Sequence, residues 1–305
     1  MENWRKFVSE QEAQEPAVSP MQKLLGARYE EFVKWLGNNI QDPKTQAIIG
    51  AGLDDGDPND DKFGFQAGAI PVAKLKPTQN EIDINKSLAF PLVKDPNQFI
   101  EYNASTGPFT LGEPPGEPII TFNGEYIIDG HHRWSTLYAC NKSAEINVVN
   151  ITLQGVNPLN ALKAVQMAIG LQAKKIPVQK VEGSNLLKAS RGEIAGWIRK
   201  NAPIELYEAI AAAPQIKNII SKYARSSKEE EQVNEVSGME KAVLEGGLEN
   251  YIWSNIASMR KTSQPVPGAG PRDFMPQTGG IDWQKPLAKG EVDVSPPLAK
   301  KAAEE

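Results

Sequence analysis

Ile119-Ile120-Thr121-Phe122-Asn123-Gly124-Glu125-Tyr126-Ile127-Ile128-Asp129-Gly130-His131-His132-Arg133 is the stretch on which the reading of the fold turns. Two short apolar runs flank Asn123-Gly124. Asn-Gly in that setting predicts a hairpin, because both central residues of a type I′ turn need positive φ. The second run ends at Asp129-Gly130. Trp134, Leu137 and Tyr138 then follow at the i, i+3, i+4 spacing of a helix with a core-facing stripe. A strand therefore feeds directly into a helix over 131–141. The only two histidines of the 305 residues stand side by side at its start.

Such a junction exposes N–H groups with no acceptor inside the helix, together with the positive end of the helix dipole, so it favours an anion such as phosphate. Arg133 adds a planar, permanently charged fork for phosphate oxygens. Histidines titrate near neutral pH and offer protons or hydrogen bonds there. Gly130 is expected to be required by the shape of the turn. These residues point to a phosphate or nucleotide site and leave the reaction open.

Outward from this stretch, Ile146-Asn147-Val148-Val149-Asn150-Ile151-Thr152-Leu153 reads as a further strand, and Ile70-Pro71-Val72-Ala73-Lys74-Leu75 as a short β entry. Lys76-Pro77-Thr78-Gln79-Asn80-Glu81 turns into an expected helix carrying Ile82, Ile84 and Leu88. Residues 69–153 thus read as an α+β domain. Before them, 1–68 reads as a helical arm and an acidic loop. Ser19-Pro20 is a cap and first-turn pair, and Leu24, Leu25, Tyr29, Phe32, Val33 and Leu36 recur at helical spacing. Asp54, Asp55, Asp57, Asn59 and Asp61 suggest a calcium loop, but the terminal glutamate of an EF-hand is missing and a solvated loop is expected.

After the domain, 154–260 reads as a helical region. Asn157-Pro158 opens one helix, Ser190 and Glu193 form a capping box ahead of Ile194, Trp197 and Ile198, and Ala202-Pro203 breaks that helix. The proline-, glycine- and charge-rich residues 261–305 read as a disordered, flexible tail able to dock a protein partner.

Composition narrows the function classes. A net charge of −5 argues against a protein whose main business is coating nucleic acid. One cysteine excludes an internal disulfide framework and a cysteine-rich zinc module, and a reducing, intracellular setting is the default. No run approaches a membrane span, and Met1-Glu2-Asn3-Trp4-Arg5-Lys6 lacks an apolar signal core, so no membrane partner is expected.

Two segments together resemble the ParB/sulfiredoxin-like superfamily: residues 70–79, similar to the opening strand and polar motif of ParB-type N-terminal domains, and Ile128-Asp129-Gly130-His131-His132-Arg133-Trp134, similar to its Gly-x-His-Arg and Asp-Gly-x-x-Arg boxes. The resemblance covers 69–153. It implies a small α+β domain binding a nucleoside triphosphate (ATP or CTP), with Mg²⁺, at this helix N-terminus. Family chemistries include CTP-using DNA partition, sulfiredoxin reduction, free-serine kinase activity and ParB-like nuclease activity, and fold does not select among them. Sulfiredoxins carry a cysteine where this chain has His131. Cys140 lies farther along the helix and is expected to be a buried small side chain. Partition proteins favour an arginine-rich box, where this chain has Arg133 alone. The serine-kinase-like members use a glutamate from the first polar segment, which makes Glu81 the catalytic base by alignment of segments.

Within this frame the cofactor-binding residues are Asp129, Gly130, His131, Arg133 and Ser135, and the catalytic residues are Glu81 and His132. Adjacent helical residues diverge by about 100°, so one ligand does not readily take both rings. His132 is read as the functional ring, and His131 equally as a site residue or a plain helix-start residue. Asp129 caps the helix or holds the magnesium of a bound nucleotide, capping being the first reading. Ser135 reaches a phosphate or bonds back to the first turn. Trp134 and Tyr138 are read as core, and no protein-held metal is expected because no third ligand joins the histidines.

Three functions follow: nucleotide binding with hydrolysis, phosphotransfer or phosphodiester cleavage; a non-enzymatic DNA-binding or partition-type module; or a phage structural or adaptor protein that keeps the fold. A basic face beside Arg133 favours the second, and an occluded corner at 129–133 favours the third. The expected location is cytoplasmic, in a host cytoplasm or virion if phage-encoded.

Overall fold

In the computed structural model, which describes residues 20–50, 62–112, 115–180, 183–224, 236–292 and 294, Asn123 and Gly124 take φ of 51° and 68°. They close the hairpin between β3 (Ile119–Phe122) and β4 (Tyr126–Asp129). Asn150 braces this turn from a neighbouring strand, its Oδ1 accepting from the Gly124 N–H at 2.7 Å and the Thr121 hydroxyl at 3.1 Å.

The sheet has five strands in the order β1-β5-β3-β4-β2. β1 (Gly64–Pro71) lies antiparallel to β5 (Glu145–Thr152), β5 runs parallel to β3, and the two-residue β2 (Lys76–Pro77) runs parallel to β4. With twelve α-helices among the described residues, the fold is α+β around a mixed sheet. All four residues of β3 are buried, so this central strand is covered on both faces.

Alternation along the strands divides the interior in two. One face directs Ile119, Ile127, Ile146 and Val148 against Trp134 and Leu137 of α6 (His131–Cys140). The same core includes α4 (Ile84–Ala89), α5 (Pro96–Ala104), α8 (Arg191–Asn201), α9 (Ile204–Ala212), α10 (Pro214–Ser221) and α11 (Val236–Thr262). The other face directs Ile120, Phe122, Ile128 and Ile151 against α1 (Pro20–Gly26), α2 (Tyr29–Asn39), α3 (Pro43–Ile49), α7 (Pro158–Ala173) and α12 (Gln284–Lys289).

The expected division at 68, 153 and 260 therefore does not describe how the chain packs. The N-terminal helices are one wall of a core shared with the sheet and α7, and β1 begins at Gly64. The helical region covers the opposite face: the Asn255 amide donates to the Ala139 carbonyl at 2.9 Å, and the Tyr138 and Thr262 hydroxyls lie 2.9 Å apart. An apolar stripe states that a helix needs a partner, not which partner. The charged, glycine-punctuated residues before Tyr251 belong, from Val236 onward, to the long helix α11. At Gly247 an added Cβ would lie 2.5 Å from the Ile220 carbonyl oxygen, so the missing side chain permits the close approach of α10.

The flexible-tail reading is corrected over 261–292. The Val266 N–H bonds the Pro77 carbonyl, the Asn80 N–H bonds the Gly270 carbonyl at 3.0 Å, and Met275, Trp283, Leu287 and Val292 are buried. Proline and glycine here shape turns that the core holds in place. The calcium-loop candidates and the Ser19 cap lie outside the described residues.

Other local expectations fare better. Asn157 accepts from the Asn160 N–H at the head of α7, and Ser190 with Glu193 forms the capping box of α8. Ser190→Ala is expected to lower stability by about 1 kcal/mol, read as a urea midpoint. The helix expected from Lys76 begins only at Ile84, because Asp83 caps it by accepting from the Asn85 and Lys86 N–H groups. Residues 78–83 are left as an irregular segment beside the head of α6. Among the described residues no helix is long and apolar enough to cross a membrane.

Candidate functional site

At the end of β4 the chain turns through Gly130 at φ +92° and enters α6. An added Cβ there would lie 2.5 Å from Ile119 Cγ2 and 2.8 Å from Ile119 Cβ, so both φ and space demand glycine. The first bond of the helix runs from the Trp134 N–H to the Gly130 carbonyl at 3.0 Å. No side chain caps this end. The N–H groups of His131, His132 and Arg133 consequently have no acceptor from the helix or from a cap.

The two histidine rings diverge to different anchor points. His131 is buried, and its Nε2 accepts the Thr78 N–H at 3.2 Å, while the Thr78 hydroxyl donates to the Ile127 carbonyl at 2.6 Å. His132 Nε2 accepts the Asp83 N–H at 3.1 Å. A ring nitrogen that accepts must be unprotonated, which places the single proton of each neutral ring on Nδ1. Burial first, then the neighbouring His132 and Arg272, hold His131 well below 6.5. Burial, then Arg272 and Lys86, bring His132 down to about 3, with Asp83 opposing.

Proton donation near neutral pH, expected from the sequence, is therefore corrected. Both rings are neutral acceptors that brace the segment 78–83, and in this state His132 is a positioning group.

Arg133 arches over the turn. Its Nη1 donates to the Glu117 carbonyl at 2.9 Å and the Glu117 carboxylate at 3.2 Å, and its Nη2 to Asp129 Oδ2 at 3.4 Å. Its side chain is only 19% exposed, so it is not a free surface arginine. Asp129 does not cap the helix: Oδ2 accepts from Arg133 and from the Thr278 hydroxyl at 3.1 Å. Ser135 is turned away from the corner. Its hydroxyl is buried 2.8 Å from that of Ser87 on α4 and donates to the His132 carbonyl, which corrects its assignment to the ligand.

Glu81 lies where residues 78–83 meet the C-terminal segment, its Oε2 accepting the Arg272 N–H at 3.3 Å. Trp134 and Tyr138 are fully buried and meet edge to face, the Trp134 indole donating to the Val72 carbonyl, as a core reading requires. Cys140 is buried and its thiol is pushed up by burial.

Arg272 and Thr278 were not legible in the sequence. They sit among prolines and glycines with no helical or strand periodicity, and only the return of residues 263–292 over the sheet brings them to the corner. Among the described residues no group of three or more His, Cys, Asp or Glu is placed to hold a metal ion. A magnesium ion here would rest on Asp129 and on oxygens brought by the ligand, the usual pattern for a nucleotide-borne Mg²⁺. Comparison with protein-family models, with curated proteins and with solved structures gives no match for this chain.

Proposed function

We propose that this chain is a ParB/sulfiredoxin-like protein that binds a nucleoside triphosphate, ATP or CTP, at the head of α6. The observation that carries this reading is the uncapped first turn behind the left-handed Gly130, with Arg133 spanning its mouth. Unsatisfied N–H groups, the helix dipole and a guanidinium together favour a phosphate. A cavity of about 470 Å³ is bounded by residues 26–30, Asn80, Leu159 and residues 268–271, and none of residues 129–133 lines it. Glu81 is the carboxylate available as a base in hydrolysis, phosphotransfer or phosphodiester cleavage.

A panel of ATP, CTP and GTP, each with and without Mg²⁺, titrated by calorimetry, tests the reading. Wild type is expected to bind at least one nucleotide, and Arg133→Ala to bind it about tenfold more weakly, as for one lost charge-assisted contact. Absence of all binding at millimolar nucleotide would sink it.

One observation favours the structural or adaptor reading instead: the Thr278–Asp129 bond and the two carboxylates on Arg133 close the corner in this conformation. That reading expects no nucleotide binding at all. DNA binding would call for a basic face beside Arg133, where Glu117 and Asp129 stand.

A further inference from the structure

Arg272 differs from Arg260, another half-buried arginine. Arg260 directs its guanidinium at the Leu186 and Ala189 carbonyls and satisfies both Nε and Nη2. Arg272 gives Nη2 to Gln179 Oε1 at 2.6 Å, but its Nε is buried with no acceptor. No ion pair among the described residues includes it. Asp129, Asp273 and Asp83 act on it electrostatically without forming an ion pair with it. Asp83 accepts the Asn85, Lys86 and Gly183 N–H groups, and Asp129 accepts from Arg133 and Thr278.

Burying a cation without a matched acceptor costs free energy, and folds generally pair such a group or keep it in water. Here the guanidinium is half-buried, its Nη2 meeting Gln179 at the exposed side and its Nε closed off without an acceptor, and the fold holds the residue in place. The Gly270 carbonyl accepts from the Asn80 N–H at 3.0 Å, the Ala269 carbonyl from the Asn80 amide at 2.8 Å, and Glu81 from the Arg272 N–H at 3.3 Å. On the far side the Phe274 carbonyl accepts from the Tyr29 hydroxyl at 2.9 Å, and Thr278 reaches Asp129. The charge so held lies close enough to both histidines of α6 to depress their basicity.

We propose that Arg272 is the second arginine of the anion site, a ligand-binding residue carried to the head of α6 by the C-terminal segment, where it takes a phosphate oxygen of the bound polyphosphate. This rests on the reading of that corner as an anion site. It adds that the ligand is an oligophosphate held from both sides: by α6 and Arg133 on one, and by the returning segment on the other. The guanidinium fork offers the ligand oxygen its Nη1, which bonds no group among the described residues, with the unpartnered Nε–H behind it.

The test uses the full chain and inorganic tripolyphosphate, which carries the charge without a base, alongside the nucleotide panel. Wild type is compared with Arg272→Gln, Arg272→Lys and Arg199→Gln, the last removing an exposed arginine paired with Glu249. Expected is a weakening of about tenfold or more for Arg272→Gln, partial recovery in Arg272→Lys and no change in Arg199→Gln. Binding within twofold of wild type in Arg272→Gln overturns this proposal while leaving the corner to Arg133. Failure of wild type to bind tripolyphosphate or any nucleotide removes both. Should Arg272→Gln not fold, the decisive measurement is phenylglyoxal labelling of wild-type Arg272: tripolyphosphate is expected to protect it, and equal labelling with and without the ligand overturns the proposal.

Discussion

Acidification destabilises this protein through its two histidines. The folded state holds His132 near 3 against an ordinary value of 6.5, and holds His131 well below that value too. The sign follows from linkage. Below the unfolded value the unfolded chain takes up protons that the folded rings refuse, so stability is lost as pH falls through 6.5 and keeps falling toward the folded value. By about pH 4 the His132 shift alone corresponds to a loss on the order of 3 kcal/mol. His131 adds in the same direction, because protonating its ring would both charge a buried site and expel the Thr78 N–H from Nε2.

Urea unfolding of wild type and His132→Gln at about pH 7, 5 and 4 measures this, since carboxylate titrations common to both proteins cancel in the difference. The variant is expected to start less stable at neutral pH and to lose much less on acidification. Parallel curves for the two proteins would show that the ring does not titrate as its burial requires.

The second large effect is at Gly130. Gly130→Ala meets two penalties at once: a left-handed φ of +92° and a Cβ placed 2.5 Å from Ile119 Cγ2. The conformational part costs about 1 kcal/mol or more and the overlap in a packed core a further 1–3, giving roughly 3 kcal/mol. Gly155 separates the two, because its φ is +78° with nothing within 4 Å of an added Cβ. Gly155→Ala is therefore expected to cost only the conformational part, about 1 kcal/mol. Equal urea midpoints for the two variants would remove Ile119 from the account. The Arg133 Nε lies 3.2 Å from the same Cβ position, so Gly130→Ala is also expected to weaken oligophosphate binding along with stability.

Legibility divides along sequence distance. The Asn123-Gly124 turn, the helix after Gly130, the Asn157 cap and the Ser190–Glu193 box each depend on residues within a few positions of one another, and each stands where the sequence places it. The burial of Trp134 and Tyr138 was legible because one helical face carries both, and that of Cys140, on another side of a helix covered all round from Trp134 onward, from its small apolar side chain. The roles of the site residues were not. His131 meets Thr78 across 53 residues, His132 meets Asp83 across 49, and Thr278 meets Asp129 across 149. Ser135 turns inward because α4 lies against that side of α6, and no periodicity in either segment states that pairing.

For this protein, the sequence by itself determined the stereochemistry of the corner: a hairpin with two positive-φ residues, a strand end and a glycine turn into a helix start bearing His131, His132 and Arg133. Short-range steric rules suffice for that. Only the tertiary structure decided what the corner is made of chemically, because a ring's protonation and a guanidinium's partners depend on burial and on charges delivered by distant segments. It turned the histidines into neutral braces, and it folded the supposed tail back so that Arg272 meets Glu81 and Thr278 meets Asp129.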